Sequence, residues 1–257
     1  MKSAIALTFH GIDPQPDVPH LAADPGARRY VITTDRFEEV VKMVSPEKSC
    51  TVSGYIQKQG GDWLILTFDD GFISDFWIVF PSLKDRGIKA TFFTTVENIG
   101  FSGYTTITHL KEMAETGMEI GSHGLTHRYL TSMTRSEAIR EIRESKDRLE
   151  QAIGMRVVSF APVGGHYRKW MEKCAYEAGY RAFATMIPGI TNGGEDRVLL
   201  RRNHIQSHHE IDYLSRLIDG HYTTMAFNRL RYDVLRIPKA VFGLKNYDLI
   251  KKYLSEL

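Results

Sequence analysis

The segment Trp63-Leu64-Ile65-Leu66-Thr67-Phe68-Asp69-Asp70-Gly71 runs from an apolar tract straight into two adjacent acids and a glycine. A short, nearly continuous apolar tract closed by turn residues reads as a buried strand with its carboxyl end at the acids. Downstream, Met118–Ser122 is a second such tract, and it leads into His123-Gly124-Leu125-Thr126-His127. One carboxylate and two imidazoles form a facial set of ligands for a divalent metal, and a catalytic zinc site takes three protein ligands with one position left for water. The carboxylate left over would stand beside that water, where a general base belongs. The residue types therefore point to metal-assisted hydrolysis.

Outward from these two segments, apolar tracts alternate with amphipathic stretches along the chain. Strands are expected at Ile5–Phe9, Trp63–Phe68, Ala90–Thr95, Met118–Ser122, Val157–Phe160, Ala182–Thr185 and Val198–Arg201. Thr134-x-x-Glu137 is a capping box that opens a helix running to about Ile153, with Gly154 as its stop. Gly87, Gly117 and Gly179 each close a helical stretch before a strand. Strands separated by helices predict an α/β fold with a parallel sheet, and acids and histidines at strand ends suit a barrel whose site lies at the carboxyl face. Ser45–Asp62 is expected as a long loop or small hairpin, Pro14–Arg29 as an extended connection, and the chain from Asn246 to Leu257 as a final helix. The 257 residues are expected to form one domain.

Thr67-Phe68-Asp69-Asp70-Gly71 with Ser122-His123-x-x-x-His127 resembles the polysaccharide deacetylases, the NodB-homology group or carbohydrate esterase family four. Ser159-Phe160-Ala161-Pro162-Val163-Gly164-Gly165 matches a third element, the family's proline-containing loop at a strand end. The resemblance implies a distorted (β/α) barrel of about seven parallel strands and removal of acetyl groups from N-acetylated sugars. It also implies that Asp70, His123 and His127 bind the metal, most simply zinc, with cobalt, nickel and manganese as alternatives, and that Asp69 is the base. The oxyanion would meet loop amides around Pro162, Val163, Gly164 and Gly165, with Tyr167 beside the substrate.

The leaving amine needs an acid. The first expected strand ends in His10-Gly11, as in the circularly permuted branch of the family that acts on poly-N-acetylglucosamine exopolysaccharides. His10 is therefore the expected acid and His204 the alternative; His208-His209 matches less well. The chain departs from the family in lacking an arginine around Ser159–Pro162, and Arg202, or else Arg201, is the expected replacement beside the base. It also lacks the family's Asp-x-x-x-Trp motif, so no partner for the acid histidine is identified. Among the aromatics, Phe76 and Phe80 at helical spacing read as core, whereas Phe72 and Tyr167 follow site loops and are candidates to face sugar.

Composition narrows the partners. A net charge of +2, from 33 basic and 31 acidic residues in mixed order, does not favour nucleic acid or an anionic membrane. Two distant cysteines, Cys50 and Cys174, argue against a disulfide framework. No stretch reaches the roughly 18 apolar residues of a membrane span, and the N-terminal tract is too short for a secretory leader. A cytoplasmic protein is expected from the chain as written, with an extracytoplasmic location left open if a leader has been removed. Two competing functions remain at this level, a hydrolase of C–N bonds in small non-sugar amides and a catalytically silent glycan-binding module.

Overall fold

The computed structural model describes residues 2–13 and 29–234. Burial with a period of two builds it. In β1 (Lys2–Phe9), Leu7 and Phe9 join one apolar cluster while Ala4 and Ala6 join another, and β4 (Gly61–Phe68) divides the same way, Leu66 and Phe68 against Ile65. The Phe- and Leu-rich cluster takes the residues that meet the helices, including Phe37, Phe80 and Ile142. The second cluster is made of small or slender side chains, with Ala161, Ala182 and Ala184 beside Phe93, as the interior of a tightly curved sheet demands.

The remaining strands are β2 (Ile12–Asp13), β3 (Ile32–Thr33), β5 (Ala90–Thr94), β6 (Glu119–Ser122), β7 (Ser159–Phe160), β8 (Ala182–Ala184), β9 (Ile190–Asn192), β10 (Val198–Leu200) and β11 (Asn203–His204). The main sheet runs β10-β8-β7-β6-β5-β4-β1-β11, each neighbour parallel to the next, and β9 pairs antiparallel with β1. β10 and β11 are opposite edges of that order, yet only Arg201 and Arg202 separate them in sequence. Three peptide steps reach roughly 10 Å at most, so the two edges lie next to one another. The sheet is a nearly closed barrel.

All seven expected strands are present, most shortened by a residue or two. β2, β3, β9 and β11 were not expected, because two or three residues are too few to show a period. The capping box holds: Thr134 caps Arg135–Ile153, Glu137 reaches back to the Thr134 amide at 2.8 Å, and Gly154 ends the helix at φ 75°. The expectation of a loop or hairpin over Ser45–Asp62 is corrected. Val52–Gln57 is a helix capped by Thr51, whose hydroxyl accepts from the Gly54 amide at 2.9 Å. That helix brings Tyr55 beneath the barrel, where Lys2 Nζ donates to the carbonyls of Ile56, Lys58 and Gly194 at 3.2, 2.9 and 2.9 Å. The bottom is thereby plugged, and the carboxyl end of the strands is the face left for chemistry. The final-helix expectation and all of Pro14–Arg29 but its last residue lie outside the described residues. No helix among the described residues is long and apolar enough to cross a membrane.

Candidate active site

Strand register assembles the site. β1 and β4 pair with Phe9 opposite Phe68, and the Asp69 amide donates to Phe9 O at 3.0 Å, so His10 and the two acids emerge side by side. β5 and β6 pair with Thr94 opposite Ser122, and β6 pairs with β7 through Ser122 opposite Phe160. The His123 amide then donates to Thr94 O, and the Ala161 amide to Ser122 O, both at 2.9 Å. His10, Asp69, Asp70, His123 and the Pro162 loop are consequently the first residues beyond neighbouring strands, all on one rim.

Asp70 and His127 both adopt left-handed backbone, φ 79° and 57°, unusual for residues other than glycine. The turn at Asp70 directs its carboxylate to both imidazoles. His123 Nε2 lies 3.3 Å and His127 Nε2 2.8 Å from Asp70 Oδ1. On its other side, His123 Nδ1 donates to Ala161 O at 2.8 Å, which locks the ring and turns Nε2 toward the carboxylate. The ligand atoms of Asp70, His123 and His127 lie within 4.8 Å of one another. A tetrahedral ion with ligands at about 2.0–2.1 Å holds them roughly 3.3 Å apart, so this donor set fits a zinc-type cation. Burial pushes the Asp70 carboxyl up, but hydrogen bonds from both histidines outweigh it and hold it well below its usual value. Burial pulls His127 down, and Asp70 more than reverses that.

Asp69 turns the other way, into the barrel. Arg202, fully buried, donates from Nη1 to Asp69 Oδ1 at 2.6 Å and from Nη2 to Oδ2 at 3.0 Å. The same guanidinium donates from Nε to Thr185 O at 3.1 Å and from Nη1 to Thr67 Oγ1 at 3.3 Å, and it lies over the Phe93 ring. Burial drives the Asp69 carboxyl up; Arg202 first, then His123 and His10, bring it below the ordinary carboxylate value. Arg202 occupies this position because it lies at the seam where the barrel closes. Arg201, the other arginine considered, is exposed.

His10 faces the acids. Burial lowers its pKa, against the upward pull of Asp70 and Asp69. Its ring sits 5.0 Å from that of Tyr30 and 6.3 Å from that of His204, to which it is nearly parallel, so both histidines considered as the acid belong to one cluster. His208 and His209 instead contact each other and Tyr213. Pro162 precedes the turn Val163–Gly165, where Gly164 and Gly165 take φ 62° and 68°. A Cβ on Gly165 would stand 2.3 Å from Met186 Cγ. Gly165→Ala is therefore expected to cost about 2 kcal/mol or more from clash and backbone strain, read as a lowered urea midpoint; an unchanged midpoint would show that the loop has room to move.

The aromatic expectations divide. Tyr167 packs on Phe183 at 4.9 Å between ring centres and so belongs partly to the core, and buried Phe72 stacks on Tyr104 at 5.4 Å. Phe76 and Phe80 are core, as read. The sequence did not single out Tyr30, Tyr104 or Asp75. Tyr104 is raised by burial and by Asp70. Asp75, buried at the base of the site, is pushed well above its usual value by burial and by the charges of Asp70 and Asp69. None of the three sits in a motif, and only the packed rim brings them near.

A family model described as polysaccharide deacetylase matches residues 57–183, from the end of the helix before the Asp69–Asp70 strand to beyond the Pro162 loop. The chain belongs to the polysaccharide deacetylase family. The peptidoglycan-N-acetylmuramic acid deacetylase PdaC of Bacillus subtilis is 33% identical over 103 residues, 40% of this chain and 21% of that protein. Across the curated relatives it matches, the chain spans from 16% to 57% of their lengths. Among solved structures, the Streptococcus pyogenes deacetylase PplD in complex with acetate superposes with a TM-score of 0.71 at 21% identity, covering 87% of this chain and 98% of that one. IcaB from Ammonifex degensii gives 0.65 at 16% identity, covering 86% and 97%. At these identities the structures establish a shared fold, the barrel of the deacetylase family.

Proposed function

We propose that this chain is a metal-dependent carbohydrate N-deacetylase that hydrolyses the N-acetyl amide of an amino-sugar unit in a polysaccharide or glycan precursor. The observation that carries this reading is the division of labour between adjacent acids. Asp70 joins His123 and His127 in a three-ligand set, while Asp69 is kept out of that set by the guanidinium of Arg202. A binding module has no use for a second, separately held carboxylate. PdaC, a relative named for acetyl removal from an N-acetylated sugar, supports the substrate class.

Asp70, His123 and His127 would hold a divalent cation, which would supply Lewis acidity toward the amide carbonyl and lower the pKa of a nearby water. Asp69, ionised and oriented by Arg202, takes the proton from the attacking water. The amides of Val163 and Gly164, the first two of their turn and so without partners inside it, are the donors assigned to the developing oxyanion. His10, across the site from the Pro162 loop, gives a proton to the departing amine, since an amide anion is too poor a leaving group.

The test is acetate release from N-acetylated chito-oligosaccharides. Chelation is expected to abolish it and added zinc or cobalt to restore it, with His10→Gln lowering turnover while leaving metal affinity within a few-fold. Release that survives exhaustive chelation would overturn metal dependence. Sugar binding without turnover in metal-replete protein would favour the silent module, and amine release from cyclic amides in place of acetate would favour the hydrolase of small amides.

A further inference from the structure

The two histidines of the ligand set are joined by three residues, Gly124-Leu125-Thr126, and one buried side chain captures that link. Glu141, in the second turn of the helix Arg135–Ile153, is only 5% exposed. Its Oε2 accepts from the Leu125 amide at 2.8 Å and the Thr126 amide at 3.1 Å, and its Oε1 accepts from Thr126 Oγ1 at 2.5 Å. Three donors within two residues therefore converge on one carboxylate, which forms no ion pair with a described residue. The far side of the link is tied as well, because the amides of Val96 and Glu97 donate to the carbonyls of Gly124 and Leu125 at 3.1 and 2.9 Å. One turn beyond Glu141 on the same helix, Ser145 Oγ lies 2.9 Å from Ser122 Oγ, at the strand end that carries His123.

We propose that Glu141 is a positioning residue for the metal centre, setting where His127 Nε2 points relative to the locked His123 ring by gripping the backbone between them. The inference rests on the metal reading above and adds to it a residue that touches neither metal nor substrate. The physical reason is strain. His127 leaves the link in a left-handed conformation, φ 57°, which is intrinsically unfavourable for an L-residue and persists only where surrounding contacts offset the strain. His123 needs no such help, since its ring is locked on Ala161 O, but His127 is 41% exposed at the side chain and has Asp70 as its ring partner. Its direction is set by the backbone that Glu141 holds. Residues that orient metal ligands in this way commonly change affinity by about 10- to 100-fold when removed.

Zinc affinity, read by competition with a chromophoric chelator, tests the assignment without recourse to turnover. Glu141→Leu, similar in volume but without acceptors, is expected to weaken zinc about 10- to 100-fold. Glu141→Gln, whose amide can turn its oxygen to the two backbone donors and its NH2 to Thr126 Oγ1, is expected to stay within about threefold of the unaltered chain. Equal losses in both variants would assign the effect to charge and overturn the positional role, as would unaltered affinity in Glu141→Leu. Should Glu141→Leu fail to fold by near-ultraviolet circular dichroism, Thr126→Val removes a single bond of the grip and is expected to weaken zinc several-fold; unaltered affinity there overturns the proposal. Asp70→Ala separates the two readings. Zinc bound by the unaltered chain and lost in Asp70→Ala establishes the site independently of Glu141, whereas an unaltered chain that binds no zinc overturns the metal reading and this inference together.

Discussion

Asp69→Asn is expected to lower the rate of acetate release by about a hundred- to ten-thousand-fold, the range for removing a positioned general base, while leaving zinc affinity within a few-fold. The expectation follows from the separation of roles on the page. The ligand atoms belong to Asp70, His123 and His127, none of which Asp69 contacts in the ion pairs of the site, whereas both Asp69 oxygens are taken by Arg202. An asparagine keeps one acceptor for the guanidinium and loses the ability to take a proton. Single-turnover acetate release and zinc titration of the same preparation decide the matter. Full turnover would remove Asp69 as the base, and loss of zinc alongside turnover would make it a ligand.

Arg202→Met should produce the largest change in stability, about 3–5 kcal/mol, because deleting one partner of a buried ion pair strands the other charge. No ion pair among the described residues is more buried, with Arg202 side-chain exposure of 0% and Asp69 of 3%. The effect has a definite sign with pH. With Arg202 present, the Asp69 carboxyl lies below its usual value of 3.8, so the group adds stability above 3.8 that is lost as pH falls through the depressed folded value. Without Arg202, burial dominates and the carboxyl rises above 3.8; the folded state then prefers the protonated acid and loses stability as pH rises through that raised value. The gap in stability between the unaltered chain and Arg202→Met should therefore narrow as the solution is acidified toward pH 4, as followed by urea unfolding at several pH values. Asp69→Asn combined with Arg202→Met should recover part of the loss. Strict additivity of the two single changes would show that the pair is not energetically coupled.

Much of this site was legible before any coordinates. Asp69, Asp70, His123 and His127 stand in tracts whose strand ends are marked by apolar runs and turn residues, and parallel register does the rest. Arg202 was named from the sequence only as the stand-in for a missing arginine, with Arg201 as the alternative, since nothing in Leu199–His204 marks a closure; the reason it reaches Asp69 is that β10 and β11, at opposite ends of the sheet order, are consecutive in the chain. Val52–Gln57 escaped because six residues with a glycine among them resemble a loop, and the helix is held by tertiary contacts such as Val52 N to Thr91 Oγ1 at 2.9 Å. Tyr30, Asp75 and Glu141 are single residues in unremarkable surroundings, and a sequence does not say which isolated side chains a fold will gather. The clustering of His10 with His204 is of the same kind, since β11 is too short to announce that Thr8 pairs with His204.

The joint where the two edge strands β10 and β11 meet is also where Asp69, the proposed base, finds its positive partner. A single two-residue step both shuts the cylinder and supplies the buried counter-ion of Asp69. Breathing at that joint would withdraw the counter-ion and disarm the carboxylate while the rest of the molecule stayed folded. With Asp69 as the proposed base, competence for turnover is tied to the tightness of one gap in the wall, and a change anywhere that loosens the gap reaches the chemistry without touching a reacting group.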